Sequence, residues 1–91
     1  ALREASEEVE TSLAAIQSSL KRQSSLEKAV SSSQRSFSQA ETLYQQGLIS
    51  FLDVVDAQRV LASAKQQLAR ERTNYATQIA TLFRALGTNV S

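Results

Sequence analysis

The sequence predicts an all-α fold: a long antiparallel coiled-coil helical hairpin with helices at about residues 2–46 and 51–86. The 91 residues contain no proline and only two glycines, so two long stretches lack helix-breaking residues. Hydrophobic residues recur at intervals of three, four and seven in both stretches, which is typical of helices that pair along their length. Gly47 lies between the two stretches and predicts the bend.

The composition excludes several classes of function. Ten basic and nine acidic residues give a net charge of +1, and the basic side chains are scattered, which favours a solvated helix face over a nucleic-acid site. No hydrophobic run reaches the roughly 20 residues that a membrane-spanning helix needs. The chain starts at Ala1 with no signal-peptide pattern, so we expect an excised or processed piece.

No catalytic or metal-binding constellation is present. The chain has neither histidine nor cysteine, so the common general base, thiol nucleophile and zinc ligands are missing. It also lacks a Gly-x-Ser-x-Gly elbow and a phosphate-binding glycine loop. Four early glutamates suit the positive end of a helix dipole better than a metal site: Glu4, Glu7, Glu8 and Glu10. We predict that the protein is not an enzyme and has no cofactor.

The first helix carries a seam, meaning the stripe of residues predicted to face the partner helix. Its members are Leu2, Val9, Leu13, Ile16, Leu20, Leu26, Val30, Phe37 and Tyr44. Residues 31–38 are rich in serine and could be a flexible linker. Because the seven-residue spacing continues through them, we predict that they are helical.

The second helix has a more regular seam. Its members are Val54, Leu61, Leu68, Tyr75 and Leu82, interleaved with Ala57, Ala64, Ile79 and Leu86. Ser50 is predicted to cap the start of this helix, with Asp53 as its capping-box partner. Gly87 is predicted to end it.

Folding the two stretches about Gly47 brings the two seams together. The predicted pairs are Tyr44 with Val54, Phe37 with Leu61, Val30 with Leu68, Gln23 with Tyr75, and Ile16 with Leu82. Residues 1–10 are left without a partner and overhang. The hydrophobic faces are broader than a two-helix seam needs, so we expect further helices to pack alongside.

Two aspartates follow the bend at a spacing that puts them on one flank of the second helix. Asp53 and Asp56 are three residues apart, and such residues are neighbours on a helix surface. Their position in the first turns favours a role in stabilising the helix dipole. A contact with a cation or a partner is the alternative.

The residues around the bend resemble a known family. The order is Tyr44, Gly47-Leu48, Asp53-Val54-Val55-Asp56-Ala57-Gln58, and later Tyr75 and Ala85-Leu86-Gly87. This order is similar to that of the outer membrane factor family, the TolC-like outer membrane efflux proteins that serve as exit ducts in tripartite efflux and type I secretion. Residues 3–10 resemble the stretch that leads into the second long hairpin of that family.

The resemblance implies a place for the chain in a larger protein. It would be the periplasmic α-hairpin of the C-terminal repeat of a trimeric outer membrane duct, part of an α-helical barrel, and would not itself span the membrane. Arm one would be residues 1–46, the tip 47–50, arm two 51–86 and the tail 87–91. The protein would be the periplasmic portion of a Gram-negative outer membrane protein.

The resemblance also implies roles for single residues. The hairpin of a periplasmic adaptor (membrane fusion) protein would dock at the tip, whose residues are Tyr44, Gly47, Leu48, Ile49 and Ser50. Asp53 and Asp56 would line the lumen at its aperture. Ile49 departs from the pattern, because some members carry a basic residue there that helps to hold the tip closed.

Two other interpretations remain open from the sequence. A stand-alone coiled-coil oligomerisation or scaffold module would have the same heptads. The hairpin of the adaptor protein shares the shape but has a different sequence at its tip.

Overall fold

The computed structural model describes the backbone of residues 2–90 and the side chains of residues 6–87. It consists of two helices, α1 (Leu2–Gln45) and α2 (Phe51–Val90), joined by a turn over residues 46–50. The described residues contain no strand, and the predicted all-α helical hairpin is confirmed. Within this part of the chain, neither helix has a stretch long and apolar enough to cross a bilayer.

The ends of the helices agree with the prediction except at the C-terminus. Residues 31–38 are helical, so the linker interpretation is wrong. Helix α2 continues to Val90, beyond the end predicted at Gly87. Glycine inside a helix costs only about 1 kcal/mol relative to alanine, and no proline follows to stop the helix. The predicted roles of Leu2 and Glu4 fall on side chains outside the described ones, as do the side chains of residues 88–91.

The chain divides into two compact units. The turn unit is Ser24–Ala69, and the terminal unit combines Ala1–Gln23 with Arg70–Ser91. In the turn unit, the buried hydrophobic side chains are Ala40, Val54, Leu61, Ala64 and Leu68. Apart from Ala40, all belong to the seam predicted for the second helix. Phe37 and Leu61 line one groove, in agreement with their predicted pairing.

The terminal unit buries a different face of α1 from the one predicted. Ile16 is buried, but its neighbours in the interface are Ser12 and Ser19, which are 5% and 0% exposed. The predicted seam residues Leu13 and Leu20 are 45% and 48% exposed. The predicted seam is therefore wrong at Leu13 and Leu20, whereas Ile16 is buried as predicted. The buried Ser19 is bonded to α2 through its hydroxyl, which donates to Glu71.

The end of α2 shows a related difference. Ala85 is buried, whereas the predicted seam residue Leu86 is 40% exposed. Glu7 and Glu8 line an open groove together with Thr81 and other residues of α2. The predicted overhang is therefore wrong for these two glutamates, because α2 extends far enough to face them.

Candidate functional site

The end of α1 is fixed by the backbone conformation of Gly47. Its φ angle is +75°, in the left-handed region that glycine adopts without strain. The Gly47 N–H donates to the Tyr44 carbonyl and the Leu48 N–H donates to the Leu43 carbonyl, each at 2.9 Å. This pair of bonds is a Schellman motif, which satisfies carbonyls that a helix end leaves free. A Cβ at Gly47 would meet no atom within 4 Å, so the backbone angle, not space, requires glycine here.

The start of α2 is fixed by Ser50 and Asp53. The Ser50 N–H donates to Asp53 Oδ2 at 3.2 Å, and the Asp53 N–H is 3.4 Å from Ser50 Oγ. The Ser50 hydroxyl also reaches Asp53 Oδ2 at 3.3 Å. These reciprocal contacts form the predicted capping box, with aspartate in the place of the usual glutamate. Both helix ends next to the turn are therefore held by local hydrogen bonds.

Two aromatic rings pack across the turn. The ring centroids of Tyr44 and Phe51 are 5.6 Å apart, and their planes are inclined by 57°. This geometry is favourable for aromatic pairs. Tyr44 is 45% exposed, so the expectation that it belongs to the core is wrong. The five-residue turn places Phe51, the first residue of α2, next to it.

The residues around the turn carry an exposed hydrophobic surface, which we call the tip surface: Leu48, Phe51 and Leu52. Their side chains are 68%, 60% and 72% exposed. Of the other predicted docking residues, Gly47 and Ser50 are exposed and Ile49 is half-buried. The turn thus brings together the predicted docking residues and adds Phe51 and Leu52, which were not among them.

Asp53 and Asp56 are both exposed near the start of α2. The Asp53 carboxylate accepts the capping-box bonds described above, which is a role in helix initiation. Asp56 follows one turn later. Among the described residues, no group of histidine, cysteine, aspartate or glutamate side chains could hold a metal ion.

The terminal unit contains a polar cluster that was not predicted from the sequence. We call it the Glu71 cluster: Ser19, Arg22, Glu71 and Asn74. Ser19 Oγ donates to Glu71 Oε2 and Arg22 Nε donates to Glu71 Oε1, each at 2.7 Å. Arg22 Nη2 and Asn74 Nδ2 also donate to Oε2, at 3.3 and 2.9 Å. The Glu71 side chain is 12% exposed, so a nearly buried carboxylate of α2 receives donors from both helices.

These contacts change the acidity of the pair. The hydrogen bonds from Arg22, Asn74 and Ser19 lower the pKa of Glu71 from its ordinary value of 4.5 to about 2. The hydrogen bond to Glu71 raises the pKa of Arg22. Nearby, the buried Gln23 Nε2 has no hydrogen-bond partner.

A sequence signal for Glu71 did exist. Ala57, Ala64, Glu71, Gln78 and Ala85 form a second seven-residue ladder beside the leucine ladder of α2. Glutamate at such a position faces the partner helix and needs a donor there. Because this residue is charged, the hydrophobic periodicity alone does not predict that it faces α1.

Comparison with known proteins shows two matches. The model of the family described as outer membrane efflux protein matches residues 1–88. The cation efflux system protein CusC of Escherichia coli O6:H1 (strain CFT073) is 38% identical over 88 residues, which cover 94% of this chain. The chain spans 19% of the length of this curated relative. No solved structure matches the chain significantly.

Proposed function

This chain belongs to the outer membrane efflux protein family, and we propose that it forms part of the wall and the periplasmic tip of a trimeric outer membrane exit duct. In this role it serves a tripartite efflux or secretion system and docks the hairpin of the periplasmic adaptor protein at its tip. The chain acts as a conduit and not as an enzyme. The tip surface is the observation that carries the proposal.

The tip surface has the properties of a docking site. Leu48 and Leu52 are more than two-thirds exposed, and hydrophobic contacts with an adaptor hairpin would remove them from water. The Schellman motif and the capping box already fix the backbone that carries them. A preorganised surface loses little conformational entropy on binding, so more of the contact energy appears as affinity.

The terminal unit supports a place in a wall of helices. Leu13, Leu20 and Phe83 are 45%, 48% and 67% exposed. Large exposed hydrophobic side chains commonly mark surfaces that another protein element covers. In the proposed duct, neighbouring helices of the α-helical barrel cover them.

The aspartates support a role at the aperture. In a trimer, each position would contribute three carboxylates around the lumen, and such a ring attracts cations. Asp56 is the better candidate of the two, because the Asp53 carboxylate already accepts the capping-box bonds. CusC is named as a cation efflux protein, and we include cations among the proposed substrates.

Replacing Leu48 by serine tests docking. Leu48→Ser should weaken binding to the adaptor hairpin by at least about tenfold, since burying a leucine side chain contributes roughly 1.5–3 kcal/mol. Isothermal titration of the chain with the adaptor hairpin measures the change. Phe83→Ser is the matched control, because Phe83 is as exposed as Leu48 but lies in the terminal unit. It should leave the affinity unchanged.

The same titration separates the other interpretations. Unchanged affinity in Leu48→Ser would refute docking at the tip. A chain that forms a discrete dimer and has no affinity for any adaptor hairpin would be a coiled-coil scaffold module. A chain that binds a TolC-like tip in place of an adaptor would be an adaptor hairpin.

Replacing Asp56 by asparagine tests the aperture. In the full-length protein, Asp56→Asn should reduce the inhibition of channel conductance by divalent cations, because the ring of carboxylates loses its charge. Conductance in planar bilayers with increasing cation concentration measures the effect. Asp53→Asn serves as a comparison that also perturbs the capping box. If Asp56→Asn leaves the cation sensitivity unaltered, the proposed placement of Asp56 in the lumen is wrong.

A further inference from the structure

Helix α1 has two faces that could pack against α2 in the terminal unit, and they share Ile16. One consists of Ser12, Ile16 and Ser19, and the other of Leu13, Ile16 and Leu20. Successive residues lie about 100° apart around a helix, so a rotation of α1 by less than this angle exchanges the two faces. Burial of hydrophobic surface alone favours the leucine face. The structure buries the serine face.

We propose that the Glu71 cluster selects this face. Glu71 occupies a position of α2 that faces α1, and only 12% of its side chain is exposed. When α1 packs through the serine face, the Glu71 carboxylate accepts hydrogen bonds from Ser19 Oγ and Arg22 Nε, both at 2.7 Å. Its carboxylate is therefore paired and hydrogen-bonded where it is buried.

The leucine face cannot satisfy Glu71. Rotation of α1 would replace the Ser19 hydroxyl by the Leu20 side chain and carry Arg22 away from the interface. A carboxylate held against leucine without its donors is strongly unfavourable, because a buried charge must be paired. Asn74, on the same helix as Glu71, would remain as the one donor of the cluster. Glu71 thus acts as a positioning residue that excludes the more hydrophobic packing.

This selection has a consequence for the surface. Leu13 and Leu20 stay exposed because Glu71 keeps them out of the interface with α2. Replacing Glu71 by leucine removes the requirement for donors. Helix α1 should then rotate and bury the leucine face.

Thiol reactivity measures the rotation directly, because the chain has no native cysteine. Ser12→Cys and Leu13→Cys are made separately in the 91-residue chain, at neighbouring positions that are 5% and 45% exposed. With Glu71 present, the Leu13→Cys thiol should react with a maleimide at least about tenfold faster than the Ser12→Cys thiol, since burial limits reaction to transient openings. In Glu71→Leu, the order of the two rates should reverse.

Two further variants complete the test. Glu41→Leu removes an exposed glutamate of the turn unit and should keep the original order. The double substitution Arg22→Glu with Glu71→Arg restores a pair of opposite charges. It should also keep the original order of the two thiol reaction rates. If Glu71→Leu retains the original order, the proposal is wrong. If Glu71→Leu unfolds and both thiols react alike, the double substitution decides: the original order supports the proposal, and equal rates contradict it.

Discussion

Gly47 and Gly87 are the two glycines of the chain, and the backbone gives them opposite roles. Gly47 has a φ of +75° at the end of α1, whereas Gly87 lies within α2. A Cβ would meet no atom within 4 Å at either position. Any effect of alanine at these sites therefore comes from backbone conformation and not from steric overlap.

Alanine should consequently have opposite effects at the two sites. Gly47→Ala should lower the free energy of unfolding by about 1–2 kcal/mol, the cost of the left-handed conformation for a residue with a Cβ. Gly87→Ala should raise it by up to about 1 kcal/mol, because alanine is the better helix former. Urea denaturation followed by circular dichroism measures both. If both substitutions change the free energy of unfolding in the same direction, the opposite roles assigned to Gly47 and Gly87 are wrong.

The capping box makes the start of α2 sensitive to Ser50. Ser50→Ala removes the hydroxyl that lies 3.4 Å from the Asp53 N–H and should destabilise the chain by about 1 kcal/mol. Thermal denaturation of the unsubstituted chain and of Ser50→Ala measures the loss of stability. Ser50→Asn is the control, because asparagine caps helices as well as serine does. A loss as large in Ser50→Asn as in Ser50→Ala would assign the effect to something other than the cap.

The helices and the turn between them were predictable from local sequence. Gly47 indicated the end of α1, and Ser50 with Asp53 indicated the start of α2, since caps depend on residues a few positions apart. The packed face of α1 in the terminal unit was not predictable this way. We attribute it to the bonds that Ser19 and Arg22 make to Glu71, which lies about fifty residues away along the chain.

The turn was predictable in position but not in detail. The spacing of Gly47 and Leu48 indicated which residues surround the turn. It did not indicate that Tyr44 would pack against Phe51, because that contact depends on how close the turn brings the start of α2 to the end of α1. Leu52 is 72% exposed although Val54, in the same first turn of α2, is buried.

For the molecule as a whole, the Glu71 cluster makes stability depend on pH. The folded chain holds the pKa of Glu71 at about 2, below the ordinary value of 4.5 that we assign to the unfolded chain. A carboxylate with a lowered pKa contributes stability that is fully present above about pH 4.5. That contribution is lost as the pH falls from 4.5 towards 2, because the unfolded chain takes up the proton first.

Comparison with Glu71→Gln isolates this contribution. The difference in free energy of unfolding between the unsubstituted chain and Glu71→Gln should be constant above about pH 5 and should shrink below it. The other carboxylates titrate in both proteins and cancel in the difference. Chemical denaturation at a series of pH values measures it. A difference that stays the same at about pH 2.5 would show that Glu71 is not held by these bonds.

The doubly capped turn also bears on how the chain reaches its folded state. Its hydrogen bonds join residues no more than five positions apart, so they form without closing a long loop. Contacts of this kind allow rapid folding, and hairpin residues farther from the turn can then pair in succession. We therefore expect the turn to be structured in the transition state, so that Gly47→Ala mainly slows folding. Substitutions in the Glu71 cluster, whose contacts form later, should mainly speed unfolding.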